Sequence, residues 1–278
     1  MKRILITGVT GQQGGSLARA LSGKGLQLRG MTRKPEGDAA RAAESRGIEI
    51  VAGDLNDAES LRRAIDGVFG VYAVQNTWEA GVEIEEEQGK RLAGVAKEAG
   101  VEQFVYSSVG SADRQTGIPH FDNKARVEEA VRQHGFKYTG IVRPVFFMEN
   151  LISPWFLNGN QLISALNPET VLQMIAVDDI GKYVAPFFLE PDRFNGREID
   201  IAGDAVTMPQ AAETLARAFS RPIELVQVPI DEIRKSSDDF ATMLEWFERV
   251  GYDADIEATS KEFGVTPTSL ETWARTRV

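Results

Sequence analysis

Lys2-Arg3-Ile4-Leu5-Ile6-Thr7-Gly8-Val9-Thr10-Gly11-Gln12-Gln13-Gly14 begins as a short apolar run, stops at Gly8, and carries further glycines at Gly11 and Gly14. A helical pattern follows at once, with Leu17, Ala18, Ala20 and Leu21 on one side. The order strand, glycine turn, helix is what a nucleotide pyrophosphate site requires. Glycines let backbone N–H groups approach phosphate oxygens, and the N-terminus of the helix adds partial positive charge. The plainer reading is a glycine-rich turn between strand and helix that binds nothing.

Outward from this stretch, Leu26 to Met31 reads as a second strand ending at Thr32-Arg33-Lys34-Pro35. A dinucleotide fold that takes the unphosphorylated cofactor places an acid at this strand end, where it accepts from the ribose 2′-hydroxyl. Nothing acidic occurs between Gly14 and Glu36. Arg33 and Lys34 stand there instead, and they suit a 2′-phosphate that an acid would repel. The alternative is a solvated basic turn. Strand-like runs recur at Ile48–Val51, Gly70–Val74, Gln103–Tyr106 and Tyr138–Val142, each following a helical pattern. That alternation predicts an α/β, doubly wound parallel sheet of the Rossmann type.

The totals narrow the function classes. The chain has 278 residues, 42% hydrophobic and 26% charged, which suits a nucleotide domain with a smaller lobe. The predicted division is a nucleotide domain over 1–150, joined by 176–202, and a C-terminal α/β lobe from 151–175 and 203–278. A formal net charge of −10 argues against direct nucleic acid binding. No cysteine is present and only two histidines, which excludes thiol chemistry and a histidine-rich metal site. No apolar run reaches the ~20 residues that span a bilayer. No membrane association is expected, and a cytoplasmic location is. Glu79, Glu83, Glu85, Glu86 and Glu87 read as a solvated acidic face at a helix start.

One deviation bears on chemistry. Reductases of the short-chain type place a serine after the fifth strand and a Tyr-x-x-x-Lys pair about a dozen residues on. The tyrosine moves the proton while the lysine lowers its pKa and holds a ribose. Here Ser107 or Ser108 is followed by His120-Phe121-Asp122-Asn123-Lys124, with histidine in the tyrosine position. His120 has three readings: a proton donor, a ligand contact, or a structural histidine at a helix start. Lys124 lies one helical turn on.

With these residues in view, the chain resembles the NmrA-like family of atypical short-chain dehydrogenases, most closely its NADP(H)-sensing redox-sensor branch. The resemblance rests on the Gly8, Gly11, Gly14 motif, Thr32-Arg33-Lys34-Pro35, Gly53-Asp54, Asn76-Thr77-Trp78-Glu79, Gln88-Gly89-Lys90, His120-Phe121-Asp122-x-Lys124 and Glu149-Asn150-Leu151. It implies a six- or seven-stranded sheet with a small C-terminal lobe and a cleft between them. By matching position it implies that Thr10, Gly11, Gln12, Gln13, Gly14 and Gly15 hold a pyrophosphate and Arg33 a 2′-phosphate. Asp54 and Leu55 would flank the adenine, and Asn76 the ribose. Lys124 would lie on the nicotinamide ribose, and Phe147 to Asn150, with Glu149, along the pocket.

Three functions follow as expectations. The first is an NADP(H)-binding sensor or regulator with little turnover. The second is an NADPH-dependent oxidoreductase acting on quinones or other electron-poor acceptors, with His120 and Lys124 as candidate catalytic groups. The third is a protein-interaction module that keeps NADP(H) for stability. A small-molecule acceptor or a protein partner is expected accordingly, and no metal.

Overall fold

The computed structural model describes residues 1–277. In chain order the first elements are β1 (Arg3–Thr7), α1 (Gln12–Leu21), β2 (Gln27–Thr32), α2 (Asp38–Glu44), β3 (Glu49–Ala52), α3 (Ala58–Ile65), β4 (Gly70–Ala73), α4 (Thr77–Ala80) and α5 (Val82–Glu98). There follow β5 (Gln103–Ser107), α6 (Pro119–His134), β6 (Tyr138–Pro144), β7 (Phe146–Phe147), β8 (Leu157–Asn158), β9 (Gln161–Ser164), β10 (Val171–Ile175), α7 (Val177–Leu189) and α8 (Pro191–Phe194). The last are β11 (Arg197–Ile201), β12 (Asp204–Thr207), α9 (Met208–Phe219), β13 (Glu224–Gln227), α10 (Ile230–Ser236), α11 (Asp238–Arg249), α12 (Ile256–Phe263) and α13 (Leu270–Arg275).

The chain forms two compact units. The first contains residues 1–109, 123–143 and 180–199; the second contains 110–122, 144–179 and the chain from Asp200 onward. A seven-stranded sheet has the order β11-β6-β5-β4-β1-β2-β3, and β1 to β6 pair in parallel. This is the predicted Rossmann-type sheet. Strand order reverses at β1, which lies between β2 and β4, and ligands of such sheets bind outside the carboxyl ends of the strands at that point.

Why these residues form that sheet is visible in β1. Ile4, Leu5 and Ile6 are all fully buried, as a central parallel strand covered on both faces must be. Leu5 shares one core with Val71 and Ala73 of β4, Phe104 and Tyr106 of β5, and Leu61, Leu92 and Val127 of the covering helices. Ile4 and Ile6 turn to the opposite face by the period of two. Each such side chain contributes about 1.5–3 kcal/mol when removed from water.

The second unit holds two three-stranded sheets, β12-β10-β7 and β13-β9-β8. The stretch after Leu151 reads in sequence mainly as loops. It holds β9 and β10, which pair mainly with strands elsewhere in the chain: β9 with β13, besides the short β8 next to it, and β10 with β7 and β12. Helix α9 starts with a complete capping box, the Thr207 hydroxyl accepting from the Gln210 backbone and the Gln210 side chain from the Thr207 N–H. Among the described residues no helix is long and apolar enough to cross a membrane.

Gly8 and Gly14 are fixed by geometry. Gly8 has φ of +60°, and a Cβ on Gly14 would stand 2.4 Å from the Gly8 carbonyl oxygen and 2.7 Å from that of Thr7. These are backbone atoms at the end of β1 and cannot swing aside as a flexible side chain could. Gly14→Ala should therefore cost about 1–3 kcal/mol of folding stability, read as a lower urea midpoint at unchanged slope. An alanine variant as stable as the parent would show that α1 is not seated this closely.

Candidate functional site

The glycine turn lies at the carboxyl end of β1. Gly11 N–H donates to the Gly8 carbonyl at 2.9 Å and closes the turn. Gly8, Thr10, Gly11 and Gln12 are exposed, while Gly14 and Gly15 are buried against the strand. Helix α1 starts without a side-chain cap and with no acidic residue in its first turn. Its first N–H groups and dipole therefore face outward, where an anion can meet them. A cavity of about 320 Å³ borders this turn, lined in part by Thr10, Gly11, Gly15, Arg19, Ala42 and Arg46.

Gln13 points the other way. Its side-chain oxygen accepts from the Ser107 hydroxyl at 2.6 Å and the Tyr72 hydroxyl at 3.3 Å, which ties α1 to the ends of β4 and β5. Tyr72 is fully buried, and burial pushes its hydroxyl far above the usual phenol range, so it stays protonated. Of the two serines expected after β5, Ser107 is thus spent on Gln13. Ser108 is buried, and among the described residues its hydroxyl has no hydrogen-bond partner. The same holds for both polar atoms of the Gln75 side chain, just past β4. Buried unpaired amides and hydroxyls are costly, and Gln75 and Ser108 follow the carboxyl ends of the neighbouring strands β4 and β5.

Arg33 ends β2 and is exposed. Its guanidinium forms an ion pair with Glu79 of α4, and the side chains are 57% and 54% exposed. The bond to Glu79, then the charges of Glu79 and Asp54, hold the Arg33 pKa above its ordinary value. Lys34 is exposed, with its backbone N–H donating to the Thr32 hydroxyl at 3.2 Å. Asp54 follows β3 and accepts from the Asn56 N–H at 2.8 Å, while Leu55 packs partly buried on the core of the sheet. Asn76 caps α4, its side-chain oxygen accepting from the Trp78 N–H at 3.1 Å.

Lys124 is buried, and its ammonium donates to Glu85 at 2.5 Å. Glu85 is 1% exposed, so its place in the acidic run is not the solvated face read from the sequence. The reason is register: Glu85 falls on the inward side of α5, where Thr77 and Asn123 also donate to it. Burial pushes the Glu85 carboxyl up, but the Lys124 charge and the three donors outweigh it and leave its pKa below the ordinary value. Glu85 does not stand out in the sequence, because it is one of several acids close together, and Glu79 is legible only as part of the Asn76 to Glu79 motif, which says nothing of Arg33.

In the second unit, His120 opens α6 and is buried. Its Nδ1–H donates to the Asp239 carboxylate, and the other oxygen of Asp239 accepts from the His120 backbone N–H at 3.0 Å. Asp239 thus caps the helix and fixes the ring. Phe147 lies in β7, opposite Ile175. Glu149 accepts from the Trp273 indole at 2.9 Å, the Val177 N–H at 3.1 Å and Arg277 at 3.1 Å. It anchors the C-terminal helix. Asn150 sits in the short 3-10 turn beside it and accepts from the Ser153 N–H through its carbonyl. Among the described residues no cluster of metal-ligating side chains occurs.

Comparison with known proteins places this geometry. The model of the NmrA-like family matches residues 1–274. An NmrA-like family domain-containing protein of Dictyostelium discoideum is 26% identical over 273 residues, covering 90% of this chain and 88% of that one. Among solved structures, the negative transcriptional regulator NmrA in complex with NADP has a TM-score of 0.81 at 21% identity, covering 99% of this chain and 94% of its own. An NADPH-dependent quinone oxidoreductase of Escherichia coli complexed with NADPH has a TM-score of 0.83 at 22% identity, with 99% of each chain covered. The structural likenesses establish the fold.

Proposed function

The chain belongs to the NmrA-like family, and from that premise we propose that it binds NADP(H) and acts as a redox sensor or regulator with little or no turnover. The uncapped start of α1 suits the pyrophosphate, Arg33 with Lys34 suits the 2′-phosphate, and the unpaired groups of Gln75 and Ser108 suit the polar atoms of a nucleotide. A nicotinamide cofactor would supply the hydride; the protein supplies binding and orientation. The observation that carries the low-turnover reading is the buried pair of Lys124 with Glu85. An amine neutralised this way is poorly placed to lower a neighbour's pKa, and four residues before it stands a histidine instead of a tyrosine.

The second reading, an NADPH-dependent oxidoreductase of electron-poor acceptors, is favoured by one observation. Asp239 holds His120 as a carboxylate holds an imidazole that must give or take a proton at its other nitrogen. One assay separates the two. NADPH oxidation is followed with a panel of quinones, using the parent, His120→Ala and Lys124→Ala. The sensor reading expects tight NADPH binding and no acceptor-dependent oxidation by any of the three. Turnover by the parent that disappears in His120→Ala would establish the reductase instead.

Cofactor choice is tested separately. Arg33→Ala should weaken NADP(H) by ~1.5–3 kcal/mol, the worth of a charge-assisted hydrogen bond, and leave NAD(H) nearly unchanged. Titration calorimetry with both nucleotides decides this. Equal losses for the two would remove Arg33 from the 2′-phosphate.

A further inference from the structure

Helix α4 is a single turn, and it touches two ends of the nucleotide region at once. Glu79, near its carboxyl end, pairs with Arg33. Thr77, its first residue, donates to Glu85, the partner of Lys124. Asn76 caps the turn at one side and Gly81, with φ of +85°, ends it at the other. Asn123 donates to the Val82 carbonyl at 2.8 Å and to Glu85 at 2.9 Å, so the start of α5 is tied to the same cluster. The path from Arg33 to Lys124 is therefore Arg33, Glu79, one helical turn, Thr77, Glu85, Lys124.

The two ends differ in strength. The Arg33–Glu79 pair is more than half exposed, and such pairs contribute little. A phosphate monoester carries between one and two negative charges near neutrality and offers a guanidinium two parallel hydrogen bonds. It outcompetes one exposed carboxylate for Arg33. Once it does, Glu79 stands beside a like charge and moves away, and α4 moves with it. The Lys124 end is buried, and Thr77 and Asn123 hold one oxygen of Glu85 while Lys124 takes the other, so a shift of Thr77 removes one of the donors that orient the carboxylate toward the lysine.

Resting on the reading of Arg33 as the 2′-phosphate contact, we propose that Glu79 is an internal counter-ion that the 2′-phosphate displaces, and that α4 carries this displacement to Lys124. Glu79 then sets the preference between NADP(H) and NAD(H) as a positioning residue. In NAD(H) the ribose bears no phosphate, Arg33 keeps Glu79, and Lys124 stays paired. The phosphate on the adenosine half of the nucleotide is thereby read at the residue expected on the nicotinamide half.

The test uses the full chain and two readouts. The first is affinity for NADP⁺ and NAD⁺ in the parent, Glu79→Gln and Arg33→Ala. Glu79→Gln should tighten NADP⁺ by about three- to fivefold, the worth of losing one exposed competitor, and leave NAD⁺ unchanged. The second is the acylation rate of Lys124, measured by mass spectrometry, with adenosine 2′,5′-bisphosphate or ADP added. Neither ligand reaches the lysine through a nicotinamide. The bisphosphate should speed Lys124 labelling in the parent and ADP should not; in Glu79→Gln the difference between the two should vanish. Unchanged NADP⁺ affinity in Glu79→Gln, or Lys124 labelling indifferent to the bisphosphate, overturns the proposal. If Arg33→Ala keeps the parent's preference for NADP⁺, the 2′-phosphate reading itself has failed. If Arg33→Ala loses the preference while Glu79→Gln behaves as the parent, only the counter-ion has failed.

Discussion

Glu85→Ala should lower the unfolding free energy by about 3–5 kcal/mol, because it leaves the Lys124 ammonium buried without its carboxylate. Lys124 is 9% exposed and Glu85 1%, so water cannot replace the lost partner. The Thr77 hydroxyl loses its acceptor at the same time, and Asn123 keeps only the Val82 carbonyl. Adding Lys124→Met to Glu85→Ala should recover most of the loss, since the pair removed together leaves no uncompensated charge. A double variant as unstable as Glu85→Ala alone would show that packing and not charge is responsible. The same pair gives the pH dependence. The Glu85 pKa in the folded protein lies below its ordinary value of 4.5, so its contribution is complete above that pH and is lost as pH falls through the folded value. Unfolding free energy should therefore drop on acidification below about 4.5, and less steeply in Lys124→Met, where the carboxyl loses the cation that holds it down.

Glu128→Ala is the second large effect, expected at about 3 kcal/mol. Glu128, on α6, is 1% exposed and accepts from Nε and Nη2 of Arg143 at 2.8 and 2.7 Å, with Arg143 itself buried in β6. The loss is held at the lower end of the range for broken buried pairs because Glu198 also accepts from Arg143, at 2.7 Å. At about 2–4 °C per kcal/mol, the transition should shift down by roughly 6–12 °C in a thermal scan. Glu198→Ala should cost less, since Glu198 is 32% exposed and water can follow it. Equal shifts for the two variants would mean that burial does not decide the weight of these carboxylates.

How far the sequence reaches is clearest strand by strand. The central strands β1, β4 and β5 were legible as nearly continuous apolar runs covered on both faces, β2, β3 and β6 by their place in the alternation of strand and helix, and the glycines at 8 and 14 announced the turn between the first strand and helix. β9 and β10 were not legible, since a strand of four or five residues is defined by its neighbours: β10 lies between strands distant in the chain, and β9 has only the two-residue β8 close by and otherwise pairs with distant β13. The site divides the same way. The open start of α1 and the basic end of β2 follow from local order along the chain. The partners do not: Arg33 meets a residue 46 positions on, Lys124 one 39 positions back and His120 one 119 positions on. A sequence lists charges, and burial decides which of them count. By itself this sequence determined a Rossmann-type sheet, a glycine turn open to an anion, and a basic strand end beside it. Only the tertiary structure decided that Glu79 pairs with Arg33, that Glu85 neutralises Lys124, and that Asp239 fixes His120, because opposite charges pair by proximity in space and by exclusion of water, and neither is written in chain order.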